Sequence, residues 1–496
     1  MQSKRDQVQA HSFVMTRLTA GMLLADPDAP DSPLGRTTRG VFIGVLITVL
    51  IAAGAVVFGL IKPGGNSSWR TQGSFVVDKN TGARYLYLGD RLRPVLNYAS
   101  ARLIGGGDLK AQTVSTASLG DTPIGTAIGI PGAPDSVPAP DHLDSGAWLV
   151  CSSVDTPRGS IGAAIARTTL VAGAPVESGA LGTGQGLVVR GPDRTDYLVW
   201  QGSRLRLDEE SGAAVSLGYG SVTPRPVSAA FLDALVAGPA LTAPEVPGRG
   251  TPGPELNGGT TRVGQVFRVR VPGSTRQYYL LRKEGLVPVT DTSANLLLGD
   301  PRTRAAAYGG EPPRAAGLGA GVLKQHLAPG AEGRSPVSDG LPTSPPRPVE
   351  MTDGHSACAG VEAGERGTKV ATLLVSENAL TPVAQPPSTL PEACRPVDAV
   401  VVRPGRGALV RVLGAGGTTM GGTTYLVGDS GAKYRVSSAE TLGALGYAQE
   451  QVTALPSPLV SMLPTGPDLD QKAAIGMVPP STTPATCVSN DLTVDH

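Results

Sequence analysis

Aromatic residues are scarce in this chain, 4% of 496 residues, and charged residues make up only 17%. The formal charge is +1, so no basic surface follows from composition, and nucleic acid is not an expected partner. There are five histidines, His11, His142, His326, His355 and His496, and none has an HExxH or other metal-ligand spacing. No GxSxG elbow is present. A phosphate-cradling loop needs GxxxxGK[ST], because backbone amides surround the phosphates and the lysine neutralises them. The nearest stretches, 428–433 (GDSGAK) and 364–369 (GERGTK), lack that ending and sit in strand–turn–strand surroundings, so both read as turns. No catalytic, metal or cofactor residues are expected. Cysteine is missing from the first 150 residues; Cys151, Cys358, Cys394 and Cys487 follow, spaced too widely for a local zinc motif. Four cysteines allow three disulfide pairings, and the sequence does not choose among them.

Charge is wholly absent from residues 40–61, GVFIGVLITVLIAAGAVVFGLI. At ~1.5 Å rise per residue a helix of this length crosses a ~30 Å hydrocarbon core. A soluble helix of this length would carry a polar face, and this one has none. Arg36 and Arg39 stand just before it, with Arg17, Arg5 and Lys4 upstream; only Lys62 and Arg70 stand close after it. Basic flanks are retained in the cytoplasm, so the expected topology puts the N-terminus inside and the long C-terminal part outside. The run begins too far along the chain and is too long for a signal-peptide core, so an uncleaved, single-pass anchor in the cell membrane is expected. Gly44 and Gly54 are candidates for close packing on neighbouring helices. All four cysteines then lie on the outer, disulfide-permissive side.

Before the anchor, residues 4–24 carry Val14, Leu18 and Met22 four apart, a helical period with an apolar stripe. Asp26-Pro27 ends it. A stripe with no domain of its own points to partner docking.

Glycine and proline, 66 and 44 residues, are far above their ordinary share and demand many turns and short strands. One pattern recurs: strand, turn, Tyr-Leu-rich strand, Gly turn, strand. It occupies 74–95, 187–207, 265–289 and 408–436, with Tyr85, Tyr197, Tyr279 and Tyr425 in the same place. The second and fourth copies agree further at a constant offset: Leu217-Gly218-Tyr219 with Leu445-Gly446-Tyr447, then Gly238-Pro239 and Leu241 with Gly466-Pro467 and Leu469. The tyrosines are unevenly spaced, so the copies are not a regular solenoid. Apolar stretches at 147–151, 167–171, 369–376 and 399–402 read as strands of a separate core, which would bring Cys151 near Cys358 and close a loop of about 200 residues. The expected segments are a cytosolic helix and tail (1–39), anchor (40–61), linker (62–72), repeat one (73–120), core (121–180), repeat two (181–242), repeat three (243–300), a loop-rich insertion (301–350), core again (351–405), repeat four (406–470) and a tail (471–496). The expected fold is membrane-anchored α+β, mainly β, with four small αβ modules around a central antiparallel core.

The opening QSKRDQVQAHSFVMTRLTAGMLLADPD, followed by an anchor ending near Lys62-Pro63-Gly64-Gly65, resembles the EccB family, the membrane core component of actinobacterial type VII (ESX) secretion systems. Residues 128–134 and 425–436 are also similar to that family. One departure is the smaller number of arginines just before the anchor. The resemblance implies a structural subunit that supports protein export by assembling with EccC, EccD and related core subunits, as a homo-oligomer within the complex. It implies a disulfide in the core, placed at Cys151–Cys358; Cys394 and Cys487 carry no such warrant and would pair with each other. Members of the family are often labelled ATPases, which keeps an ATPase as one alternative. The repeats resemble wall-binding modules of a phage lysin, which makes a peptidoglycan anchor another.

Overall fold

A proline at the first position of a helix loses no intrahelical bond, and Pro33 opens a helix that runs to Ile61. The structure is a computed structural model and describes residues 4–25, 28, 33–61, 67–155, 164–270, 276–364, 367–413 and 419–483. The helix starts seven residues before the expected residue 40, because nothing in Gly35-Arg36-Thr37-Thr38-Arg39 breaks it. Its apolar part, Thr37–Gly59, is long and apolar enough to cross a membrane. A second helix, Lys4–Leu24, precedes it.

The chain after the membrane helix is built from five sheets. Four are the repeats, and they share one topology. In module one the strands Phe75–Asp78, Arg84–Leu88 and Arg91–Pro94 form an antiparallel meander. A helix, Tyr98–Gly105, follows, and Ala111–Val114 then returns parallel to the first strand. Module two repeats this with Gln185–Arg190, Asp196–Trp200, Ser203–Arg206, helix Ala213–Ser216 and return strand Arg225–Pro226. Module three uses Val266–Val269, Gln277–Arg282, Gly285–Val289, helix Asp291–Gly299 and return strand Ala316–Leu318. Module four uses Ala408–Leu413, Thr419–Val427, Lys433–Val436, helix Ala439–Ala444 and return strand Thr453–Pro456. Local sequence explains the helix starts: Asn97, Thr290 and Ser438 each accept a bond from the backbone N–H three residues on.

The return strand of module three corrects one expectation. Residues 301–350 are not merely loops; they contain helices Pro301–Ala307 and Ala320–His326 as well as that strand. Their Gly and Pro fall at element ends: Pro301 opens a helix whose N-cap Asp300 accepts from the Arg302 and Thr303 amides.

The fifth sheet is the core. Its order is Val383–Ala384, Ala399–Val401, Ile165–Val171, Trp148–Asp155, His355–Gly364, Gly367–Ser376 and Ser178–Ala180. It is antiparallel except where Ala399–Val401 runs parallel to Ile165–Val171, a departure from the all-antiparallel expectation. That pair belongs to two separate segments, so no hairpin forces them antiparallel. Cys151 and Cys358 face each other in register on adjacent strands and form a disulfide, with Cα atoms 4.0 Å apart.

Burial shows how the modules are joined. One face of the core sheet, with Trp148, Val150, Ala357 and Ala359, packs against Phe231 and Leu232 of module two and Leu459 and Val460 of module four. The other face buries the disulfide with Leu149, Val375 and Val401. Modules one and four share a second cluster through Leu103, Leu442 and Leu445, and modules two and three share a third through Leu217, Leu296 and Leu297. The contacts therefore run one–four–core–two–three. Both outer joints rely on close approach: a Cβ on Gly107 would strike the Gly446 backbone, and one on Gly299 would strike Ser216.

The disulfide closes a separation of 207 residues. Replacing Cys151 and Cys358 together by Ala is expected to destabilise the chain by roughly 3–5 kcal/mol in the chain-entropy description. Urea unfolding followed at the tryptophans checks this.

Candidate functional site

The two loop stretches nearest to a phosphate cradle can be judged on geometry. Gly428 and Gly431 form a turn between Thr419–Val427 and Lys433–Val436, with the Gly431 N–H donating to the Gly428 carbonyl. Lys433 does not face solvent: it is 2% exposed and donates from Nζ to the carbonyls of Val460 (2.6 Å) and Leu463 (2.9 Å). Its ammonium also lies 5.9 Å from the Tyr425 ring centroid. Burial without a carboxylate partner pulls its pKa down to about 8. A lysine spent on the end of helix Ser457–Val460 fastens that helix to the sheet of its own module and does not face the turn that a phosphate would occupy. The second stretch lies at the tip of the His355–Gly364 and Gly367–Ser376 hairpin, where Lys369 is exposed opposite Glu362. Neither surrounding is the strand–loop–helix that a phosphate loop requires.

Among the described residues no group of His, Cys, Asp or Glu could hold a metal. His355 Nδ1 bonds the Thr352 hydroxyl at 3.0 Å, a local turn contact. His496 lies outside the described residues. Buried carboxylates serve structure: Asp144 pairs with Arg403 and Arg406, and Asp300 with Arg249 and Arg302.

Features suited to interaction remain. On helix Lys4–Leu24, Val14, Leu18 and Met22 are all exposed, at 55%, 54% and 80%. Phe13 and Met15, beside that stripe in the sequence, are exposed too, as is Leu23. In the membrane helix, a Cβ on Gly44 or Gly54 would meet no neighbour, so both positions are open to another helix. Cys394 is also disulfide-bonded, while Cys487 lies outside the described residues.

Sequence reasoning missed one device. Tyr219 donates to the Pro346 carbonyl at 2.8 Å, and Tyr447 donates to the Pro138 carbonyl at 2.7 Å. Both prolines lie on the chain leading into a core strand. The two Leu-Gly-Tyr motifs are thus equivalent latches between a module and the chain segment that goes on to a core strand, and burial raises both phenol pKa values. Their common offset was visible; their partners lie far away in sequence.

The comparisons agree with this anatomy. The family model described as type VII secretion system ESX-1, transport TM domain B, matches residues 1–478. The chain belongs to the EccB family. An EccB relative from Mycolicibacterium smegmatis, named ESX-3 secretion system ATPase EccB3, is 31% identical over 494 residues, covering 95% of this chain and 90% of the relative. The solved structure of an intact ESX-5 inner membrane complex contains a chain with a TM-score of 0.62 and 26% identity, with 98% of both chains covered. The structure of the EccB3 dimer from the ESX-3 core complex gives a TM-score of 0.60 and 25% identity, covering 81% of this chain and 99% of that one. This EccB-family chain is accordingly a single-pass membrane protein of mixed α+β fold, mainly β, with one membrane helix and several small sheets.

Lys433 also sets a pH dependence. The unfolded lysine, near 10.5, binds more protons than the folded one between pH 8 and 10.5, so this residue makes stability rise with pH across that window. A shift of this size corresponds to about 3 kcal/mol. Unfolding midpoints of the parent chain minus those of Lys433→Met, from pH 7 to 10.5, are expected to climb with pH, and a flat difference would refute the assignment.

Proposed function

We propose that this EccB-family chain is a structural, non-enzymatic subunit of a type VII secretion membrane complex, in which it supports protein export by assembling with EccC, EccD and further copies of itself. The observation that carries the reading is the match over residues 1–478 to a family whose solved relatives sit in an ESX inner membrane complex. Curated relatives are named ATPases. Against turnover by this chain stands the burial of Lys433, which ends the better of the two phosphate-loop stretches.

The N-terminal helix is placed in the cytoplasm and the five sheets outside. Basic residues before the span support that orientation. So does the Cys151–Cys358 bond beyond it, since disulfides persist in oxidising compartments. Exposed Val14, Leu18 and Met22 are the docking positions for core subunits, and Gly44 and Gly54 the positions where membrane helices approach. A dimeric solved relative supports self-association.

Two outcomes follow. A Leu18→Asp, Met22→Asp chain expressed with the core subunits is expected to lose copurification of EccC and EccD by at least ~30-fold, the effect of a hot spot of about 2 kcal/mol. Retention of both subunits would remove the docking assignment. Purified full chain in detergent is expected to release no phosphate from ATP above buffer. Sustained turnover abolished by a point substitution in the chain would establish an enzyme instead.

A further inference from the structure

The four modules differ at one edge. In each, the third meander strand offers outward-facing backbone groups at alternate residues, fixed by the tyrosine on the second strand: Tyr85 pairs with Pro94, Tyr197 with Arg206, Tyr279 with Pro288 and Tyr425 with Arg435. In modules one, two and four a later segment of the same module runs parallel along this edge. Gly125 N–H donates to Leu92 O, Ile128 N–H to Pro94 O, and Leu96 N–H to Ile128 O. Module two repeats this with Gly238 to Arg204, Leu241 to Arg206 and Asp208 to Leu241; module four uses Gly466 to Lys433, Leu469 to Arg435 and Ser437 to Leu469. The side chains of Ile128, Leu241 and Leu469 are buried at 4%, 0% and 0%.

Module three begins the same way, with Ala328 N–H donating to Leu286 O, and then stops. The equivalent of Gly-Pro-Ala-Leu and Gly-Pro-Asp-Leu is Ala328-Pro329-Gly330-Ala331. Gly330 takes a positive φ of 73°, and Ala331 N–H donates back to Ala328 O instead of reaching Pro288 O. Among the described residues, the chain turns away before Pro288 O and the Thr290 N–H are paired. At that place a cleft of about 780 Å3 opens, lined by Pro288, Val289, Thr290, Leu327 and Ala331, with Arg276 and Arg334 at its sides. Its volume is in the range of ligand sites.

We propose that this cleft is an unfilled strand slot, which binds an extended segment of a partner protein by β-strand addition. Backbone pairing runs from the segment's N–H to Pro288 O and from Thr290 N–H to its carbonyl, as in the sister modules. The segment supplies a Leu or Ile side chain where Ala331 stands in place of the buried aliphatics. It carries acidic residues beside that position, since Arg276 and Arg334 outnumber Asp291 in the lining. The proposal does not rest on the assignment to a secretion complex.

The test uses full-length chain in detergent and a fluorescein-labelled nonapeptide of alternating Thr and Glu with one central Leu. Fluorescence anisotropy is expected to show saturable binding, weakened at least ten-fold by Arg276→Glu with Arg334→Glu and by N-methylation of the peptide's central amides. Hydrogen exchange at the Thr290 amide is expected to slow on binding. Both arginines are exposed, so the variant's unfolding midpoint is expected to match the parent's. Absence of binding, equal binding of a Thr/Lys peptide, or equal binding of the N-methylated peptide would overturn the slot. Two further results would reassign it and overturn a partner protein: peptide binding that appears only after residues 484–496 are removed, or self-association of the chain lost on the charge reversal without peptide binding.

Discussion

Strands Trp148–Asp155 and His355–Gly364 come from opposite sides of two whole modules, yet they are neighbours in one sheet. The five sheets are arranged by that pairing. Helices Ala229–Ala234 and Ser457–Val460 pack on its face and on each other, which fixes modules two and four. Those two modules in turn hold three and one. The Cys151–Cys358 bond restrains the unfolded chain where the sequence separation, and so the entropic cost of pairing, is large.

The joints beyond the core are made by like against like. Helix Tyr98–Gly105 meets Ala439–Ala444, and Ala213–Ser216 meets Asp291–Gly299, so equivalent helices of two modules pack in both pairs. Glycine at the contact allows backbones to approach without side chains between them. The tyrosine latches add one hydrogen bond per pair at about 1 kcal/mol net, with a larger penalty if the buried proline carbonyl is left unpaired. Lys433 is the buried member: the matching strand position in module two holds Arg204, which pairs with Asp233 at 3.1 Å. Module four therefore ties the end of its second helix to its own sheet through a buried ammonium, where module two uses an arginine and a carboxylate.

Much of this anatomy was legible in the chain. The uncharged run after Arg39, the four Tyr-centred meanders and the offset of Leu-Gly-Tyr are local patterns, and local patterns read well. The family resemblance added the Cys151–Cys358 pairing. Less visible were features decided by neighbours distant in sequence. Residues 301–350 look like loops because Gly and Pro dominate them, yet those residues cap short elements whose stability comes from module three. That Lys433 points inward depends on the carbonyls of Val460 and Leu463, which no turn motif reveals. The strand slot was hidden because Ala328-Pro329-Gly330-Ala331 differs from its counterparts by the position of one glycine and the loss of one large side chain.

Module one is the first module made, yet its apolar helix face is covered by a helix that follows all four modules. Ala99 and Leu103 share a cluster with Leu469, Ala473 and Ala474, and helix Gln471–Ile475 packs on Tyr98–Gly105. A chain halted before residue 470 therefore leaves the first module with an open greasy face. The first module is thus closed by residues that follow every other module in the chain.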